Sequence, residues 1–229
     1  MNDLILIFAD RDGTINIDRH YYLGSAAHWK DQIEILPGVA DGIKKINIIP
    51  STKFIFVTSQ SGIALGGEEF QDLTPERLEE VNLEIVRQLN RQGAIVDAYF
   101  SCGYVTSVYA EKAKTKGRVI LPEWVNDDAL CIKPKIGMME AAAKKFGADL
   151  SSVRHKFMIG DTFNDIQMGV NGGCELSILT PSFQTYDLGE LGKIEALREN
   201  NPSVLIVKNF LEAAETIEER LKTQARPKK

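Results

Sequence analysis

Apolar and polar residues fall in alternating blocks along most of the chain. Leu4-Ile5-Leu6-Ile7-Phe8-Ala9 is an unbroken apolar run, too short for a membrane span and suited to a strand buried on both faces. After Pro37, positions 38–47 carry Val39, Ile43 and Ile46 on one side, which predicts a helix. Positions 53–57 are β-branched and aromatic and predict a second strand. Thr74-Pro75-Glu76-Arg77 reads as a helix start, with a capping hydroxyl, proline in the first position and an acid in the first turn. That helix is expected to run to about Gln92, where Gly93 stops it, and 95–101 to form a third strand. A helix over about 137–146, strands at 157–159, 175–179 and 203–207, a helix starting over 163–169 and an amphipathic helix over 210–222 follow. This rhythm predicts an α/β fold, a mostly parallel, doubly wound sheet with helices on both faces. Residues from about 103 to 130 break it. They hold a Lys-rich piece, then Val119-Ile120-Leu121, Pro122 and Trp124, and read as an insertion over an edge of the sheet. Nothing resembling a linker divides the chain, so 1–229 is read as a single domain with that insertion.

Bulk properties narrow the field of partners. The 229 residues have a formal net charge of −5 with both signs interspersed. No extended basic stretch favours nucleic acid, and no apolar run favours a membrane. The expected setting is the cytoplasm and the expected partner a small molecule. Cys102, Cys131 and Cys174 are too few for a disulfide framework, and each is expected to be a small buried thiol.

The candidate chemistry sits at the ends of predicted strands, where ligands of open α/β sheets bind. The first strand runs into Asp10-Arg11-Asp12-Gly13-Thr14. If it continues to Asp10, alternation turns Asp10 and Asp12 to one side, and two close carboxylates call for a cation. The plainer alternative is a polar turn. The second strand leads into Thr58-Ser59-Gln60-Ser61-Gly62, whose hydroxyls and backbone N–H groups could hold phosphate oxygens or simply form a loop. Lys133-Pro134-Lys135 precedes a helix and offers a cation; Lys133 is preferred, with Lys135 as the alternative. The strand at 157–159 leads to Asp161, with Asp165 at the following helix start, where an acid could be merely structural.

Taken together, these four segments resemble the motifs of the haloacid dehalogenase (HAD) superfamily of phosphohydrolases, in the same order. The resemblance implies a Rossmann-like sheet. It implies Asp10 as nucleophile, Asp12 as general acid/base, Thr58 binding the transferred phosphoryl group and Lys133 neutralising charge. Arg11, Ser59 and Gln60 become candidates for substrate contact. Mg²⁺ would be held by Asp10, Asp161 and the backbone carbonyl of Asp12, with Asp165 binding directly or through water; oxygen-only ligands suit that ion. Asp10 is expected to be ionised at neutral pH. Asp12 must be protonated to release the leaving group, so its pKa is expected to be raised, through absence of Arg11 from the site or exclusion of water.

FADRDGTIN at 8–16 and VTSQSGIALG at 57–66, with segments around Leu36 and Ile132, are similar to one branch of the superfamily. It contains the D-glycero-D-manno-heptose 1,7-bisphosphate phosphatases and the histidinol-phosphate phosphatases, which lack a large cap domain. The chain departs from that branch at Ser59, commonly Asn there, and at Leu65 and Ile132, commonly Arg. The branch also often carries a zinc loop of Cys-x-His and Cys-x-Cys. Here Tyr104 and Ala129 stand beside Cys102 and Cys131, and two cysteines do not close a zinc site, so zinc is not expected. The basic residues of the insertion, Lys112, Lys114, Lys116 and Arg118, are expected to be solvated.

The reading is a Mg²⁺-dependent phosphomonoesterase for a small phosphorylated metabolite, of sugar-phosphate type, acting through an aspartyl-phosphate. With arginine missing at 65 and 132, a heptose bisphosphate is expected to be no better a substrate than a simple sugar monophosphate. The alternatives are a heptose 1,7-bisphosphate 7-phosphatase or histidinol-phosphatase proper, a polynucleotide 3′-phosphatase, and a non-catalytic binding protein. The last would have lost a core acid, and none is lost.

Overall fold

The structure is a computed structural model that describes residues 4–19 and 22–225. Its centre is a six-stranded parallel sheet. In chain order the strands are β1 (Ile5–Ala9), β2 (Thr52–Ser59), β4 (Ala98–Cys102), β6 (His155–Gly160), β7 (Leu176–Leu179) and β8 (Val204–Ile206). Across the sheet they lie β4-β2-β1-β6-β7-β8. The chain builds outward from β1 on one side, then returns and builds outward from β6 on the other. The order therefore reverses between β1 and β6, which opens a crevice beyond their C-terminal ends.

All of β1 is buried, and its alternation divides it between two cores. Ile5, Ile7 and Ala9 pack with Phe54, Phe56, Phe157 and Ile159 beneath three helices: α1 (Val39–Asn47), α2 (Pro75–Arg91) and α8 (Phe210–Ala225). Leu6 and Phe8 pack on the opposite face with Val57, Met158 and Met138 of α4 (Gly137–Lys145), and Met168 of α5 (Phe163–Asn171) completes that layer. The Thr74 hydroxyl caps α2 by accepting from the Arg77 N–H at 3.2 Å, as its sequence predicts.

Three regions depart from the sequence reading. The insertion is more regular than expected, holding α3 (Ser107–Thr115) and β5 (Val119–Ile120). The latter pairs antiparallel with β3 (Leu65–Gly66) as a separate two-stranded sheet. Between β7 and β8 lie two further helices, α6 (Phe183–Asp187) and α7 (Leu191–Asn200), which the apolar spacing did not reveal. Cys102 and Cys131 were expected as separate thiols. They form a disulfide with their Cα atoms 5.4 Å apart, while Cys174 is free and buried. The bridge joins the end of β4 to the segment just before Lys133 and so ties together the two ends of the insertion. No helix among the described residues is long and apolar enough to cross a membrane.

The turn after β1 sets where the first acids go. Gly13 has φ +83°, and a Cβ there would lie 2.1 Å from Asp161 Oδ2. Left-handed backbone costs an L-residue about 1–2 kcal/mol, and the collision adds to it. Gly13→Ala is expected to lower unfolding stability by about 2 kcal/mol or more. Urea titration reads this, and an unchanged midpoint would show that the turn tolerates a side chain.

Candidate active site

The crevice between β1 and β6 gathers four charged groups. Asp10 leaves β1 with its N–H still donating to the Ile159 carbonyl of β6 at 2.9 Å. Asp161 follows β6, and Asp165 lies in the first turn of α5. The three carboxylates are buried, with a ligand oxygen from each within 4.8 Å of the others. Lys133 comes from the loop before α4, and its Nζ donates to Asp10 Oδ1 and, at 2.7 Å, to Asp165 Oδ1. Lys135, the alternative, instead donates to the carbonyls of Asp127 and Ala129. The geometry thus separates two lysines that the sequence left open.

Each acid has further donors. Asp165 accepts from the Thr162 N–H at 3.0 Å and the Thr162 hydroxyl at 2.6 Å, closing the first turn of α5. It therefore acts as a helix cap and a member of the charged cluster at once. Asp161 accepts from the Ser182 hydroxyl, and more distantly from Thr14 at 3.4 Å. The Thr185 hydroxyl holds the Asp161 carbonyl. Ser182 and Thr185 belong to the missed α6; the signal available was Ser182 with Thr185 three residues on, a helix-start pattern after Pro181.

Electrostatics follow from this crowding. Burial pushes the Asp10 carboxyl up to about 7; Lys133 opposes the rise, and Asp165 and Asp12 add to it. Asp161 is raised well above the usual carboxylate range, by burial first and then by Asp10 and Asp165. Lys133 would lose its proton more easily through burial alone, but Asp10 and Asp165 reverse the effect and hold it cationic. The expectation that Asp10 is fully ionised at neutral pH is therefore corrected. In this cluster its ionisation depends on positive charge beyond that of Lys133.

Asp12 is built differently. Arg11, expected at the substrate, is wholly buried behind it. The guanidinium grips the Asp12 carboxylate through Nη2 at 2.7 Å and Nε at 3.2 Å, and donates from Nη1 to Asn82 Oδ1 at 2.7 Å. Asn82 in turn donates to the Ser101 hydroxyl at 2.9 Å. Asn16 and Gln60 complete the shell of Asp12 at 2.9 and 2.7 Å. Burial would raise the pKa of Asp12, but Arg11 and the two amides overcome it and the net shift is downward. This corrects two expectations: Arg11 is present at Asp12, and it favours the anion. Gln60 faces Asp12 and also donates to the Thr58 hydroxyl at 2.8 Å.

Asp10, Asp12, Thr58, Ser59, Gln60, Lys133 and Asp165 line one cavity of about 800 Å³. Its outer wall includes Tyr22, Tyr104, Tyr109 and Arg118, three of them from the insertion. Arg118 was expected in solvent; it lies over the rings of Tyr22 and Phe70, at 5.6 and 5.4 Å from their centres. Lys112, Lys114 and Lys116 are exposed, as expected of loop lysines.

The family model for HAD-hydrolase-like proteins matches residues 130–213, which include Lys133, Asp161 and Asp165. Over that segment the chain is similar to the HAD-like hydrolases. A D-glycero-beta-D-manno-heptose-1,7-bisphosphate 7-phosphatase of Bordetella bronchiseptica is 26% identical to it over 91% of this chain and 99% of its own length. A D-glycero-alpha-D-manno-heptose-1,7-bisphosphate 7-phosphatase of Photorhabdus laumondii is 29% identical over 75% of this chain and 80% of its own. The crystal structure of the B. bronchiseptica D,D-heptose 1,7-bisphosphate phosphatase, complexed with magnesium and phosphate, superposes with a TM-score of 0.67. At 22% identity over 95% of this chain and 99% of that chain, it supports the fold.

The Arg11–Asp12 pair makes a prediction about stability. Removing one partner of a buried ion pair strands the other and costs about 3–5 kcal/mol. Because the Asp12 side chain retains some exposure, Arg11→Met is expected to cost the lower end, about 3 kcal/mol. The folded pKa of Asp12 is depressed, so its stabilising contribution is present above the unfolded value of about 4 and is lost as pH falls through the folded one. The gap between wild type and Arg11→Met should therefore narrow at acid pH. Denaturant midpoints across pH 3.5–7 measure it, and a gap independent of pH would assign the loss to packing alone.

Proposed function

We infer that this protein is a HAD-like hydrolase, a Mg²⁺-dependent phosphomonoesterase acting on a small phosphorylated sugar. The observation that carries the reading is Lys133 set between Asp10 and Asp165, with Asp161 alongside, at the sheet's switch point. Three buried carboxylates with one lysine leave an excess of negative charge. An oxygen-only donor set of that size suits Mg²⁺, which takes few carboxylates and keeps waters. Asp10, Asp161 and Asp165 would hold it, with the Asp12 carbonyl as a further oxygen. When bound, the cation supplies positive charge that offsets repulsion between a phosphate and the acids.

In this reading Asp10 attacks phosphorus and forms an aspartyl-phosphate. Lys133 faces the oxygens on which charge accumulates, and Thr58 contributes a hydroxyl at the same cavity wall. Asp12 has two tasks that favour opposite states. As the base that takes a proton from water, it is ready as the anion Arg11 maintains. As the acid that protonates the leaving oxygen, it must first gain a proton. The substrate itself can supply the bias. A unit negative charge about 4 Å away, at an effective dielectric of about 20, contributes about 4 kcal/mol, on the order of three pKa units. A phosphate in the cavity thus opposes Arg11, and Asp12 becomes an acid only when substrate is present. Gln60 connects Asp12 to Thr58 and so couples its orientation to the phosphoryl-binding wall. Ser59 lines the cavity beside them as a candidate substrate contact.

Three experiments test this. Asp10→Asn keeps the size of the side chain and removes the attacking anion, so turnover of any phosphomonoester is expected to fall by at least about a thousandfold. Trapping with a metal fluoride followed by mass spectrometry should place the phosphoryl mimic on Asp10; another residue would overturn the assignment. Because the Asp10 pKa stands near 7 without a cation, Mg²⁺ should displace protons on binding and bind more weakly as pH drops below 7. Calorimetry in two buffers of different ionisation heat reads that release. Affinity independent of pH would place the cation away from Asp10.

A further inference from the structure

Three cations line the cavity: Arg19, Lys133 and Arg118. Lys133 is committed to Asp10 and Asp165, and Arg19 pairs with Glu34 at 2.5 Å. Arg118 differs. The contacts recorded for its guanidinium among the described residues are ring faces, Tyr22 and Phe70. Its Nη1 is buried yet has no hydrogen-bond partner. A guanidinium keeps its charge at all physiological pH and carries five donors in a planar fork. Ring faces stabilise the cation but accept none of those hydrogen bonds in the ordinary sense. The group is therefore held in place with its donors uncommitted.

We propose that Arg118 anchors a second anionic group of the substrate, a phosphate or carboxylate on the end of the sugar away from the scissile phosphate. The proposal rests on the reading of Asp10 as the site of phosphoryl transfer. The two ends of the cavity are chemically distinct. The floor, with Asp10, Asp12 and Asp165, is negative and accepts a phosphate only with help from Lys133 and a bound cation. Arg118 lines the same cavity from the insertion. It is fixed there by the short pairing of β3 with β5, in which Val119 faces Gly66 and Ile120 faces Leu65. The Tyr109 hydroxyl donates to the Ser61 hydroxyl at 3.2 Å, and both residues line the cavity with Tyr22. Such a polar lining suits the hydroxyls of a sugar chain. Of the acids at the outer wall, Glu190 accepts from the Phe163 N–H at 2.8 Å, while Asp18 lies near Tyr22. Neither forms an ion pair with Arg118 among the described residues. A cavity of about 800 Å³ lies within the usual range for small-molecule sites. On this proposal the distal cation comes from the insertion rather than from positions 65 and 132.

The test is steady-state kinetics on wild type, Arg118→Gln and Arg118→Lys with three substrates. These are D-glycero-D-manno-heptose 1,7-bisphosphate, the 7-phosphate, and 6-phosphogluconate, whose distal group is a carboxylate. Wild type is expected to prefer one of the doubly anionic substrates over the 7-phosphate. Arg118→Gln should lower that ratio of kcat/KM by about ten- to a hundredfold, mainly through KM, and Arg118→Lys should recover part of it. Whichever substrate loses more, bisphosphate or phosphogluconate, identifies the group bound. A ratio unchanged in Arg118→Gln overturns the proposal; if that variant does not fold, by circular dichroism, an unchanged ratio in Arg118→Lys does so. If wild type hydrolyses no phosphomonoester, p-nitrophenyl phosphate included, the phosphatase reading fails on its own. Arg118 is then tested by calorimetric titration of the bisphosphate into wild type and Arg118→Gln, and equal affinities overturn the assignment.

Discussion

Three carboxylates buried together cannot all remain ionised without positive charge among them, and the rest of the site depends on how that requirement is met. Asp10, Asp161 and Asp165 come from two neighbouring strand ends and a helix start, so the sheet itself forces them together. Lys133 meets part of the requirement and hydroxyls from Thr162 and Ser182 another part. What is left over appears as the raised pKa of Asp10 and of Asp161. A buried cluster of this kind is costly in folding terms, and a cation bound among its oxygens would offset that cost.

Asp12 lies two residues from Asp10 and follows the opposite logic. Its charge is compensated one-to-one by Arg11, itself fixed by Asn82 on α2 and beyond that by Ser101 on β4. Two aspartates of one short segment are thereby driven apart in pKa, one upward and one downward. Divergent environments for neighbouring acids are how one site assigns different proton tasks to chemically identical groups. Arg11 does this without reaching the cavity, acting through Asp12 as a positioning residue.

The sheet and the charged cluster were legible in the sequence because both rest on local patterns. Apolar runs leading into polar residues mark buried strands feeding a ligand crevice, and Asp10, Thr58 and Asp161 each stand at such an end, while Lys133 stands just before a helix. What was not legible depends on contacts distant in sequence. Arg11 reads as a polar turn residue until Asn82 is brought to it. Cys102 and Cys131 read as separate thiols until the ends of the insertion meet. Helices α6 and α7 lack a strong apolar face; α7 buries a single residue, Ile194. Arg118 has the sequence context of a solvated loop, and only the pairing of β3 with β5 turns it inward.

These differences divide the cavity into two parts under separate control. The floor is made by strand ends whose register is fixed by the burial of both faces of the sheet, and a shift there would expose Phe8, Phe54 or Phe157. Much of the outer wall is made by residues 103–130, whose Ala110, Ala113 and Ile120 pack with Leu65 and Phe70 in a small core separate from the two cores of the sheet. Changes within the insertion can therefore alter what lies over Tyr22 and beside Tyr109 without disturbing the acids beneath. The acids thus lie in the part of the fold that tolerates least change, and the residues of the insertion that line the cavity in a part packed on its own. Lys133 lies at their junction, two residues beyond the disulfide that closes the insertion, so the outer wall is anchored next to the cation on which the floor depends.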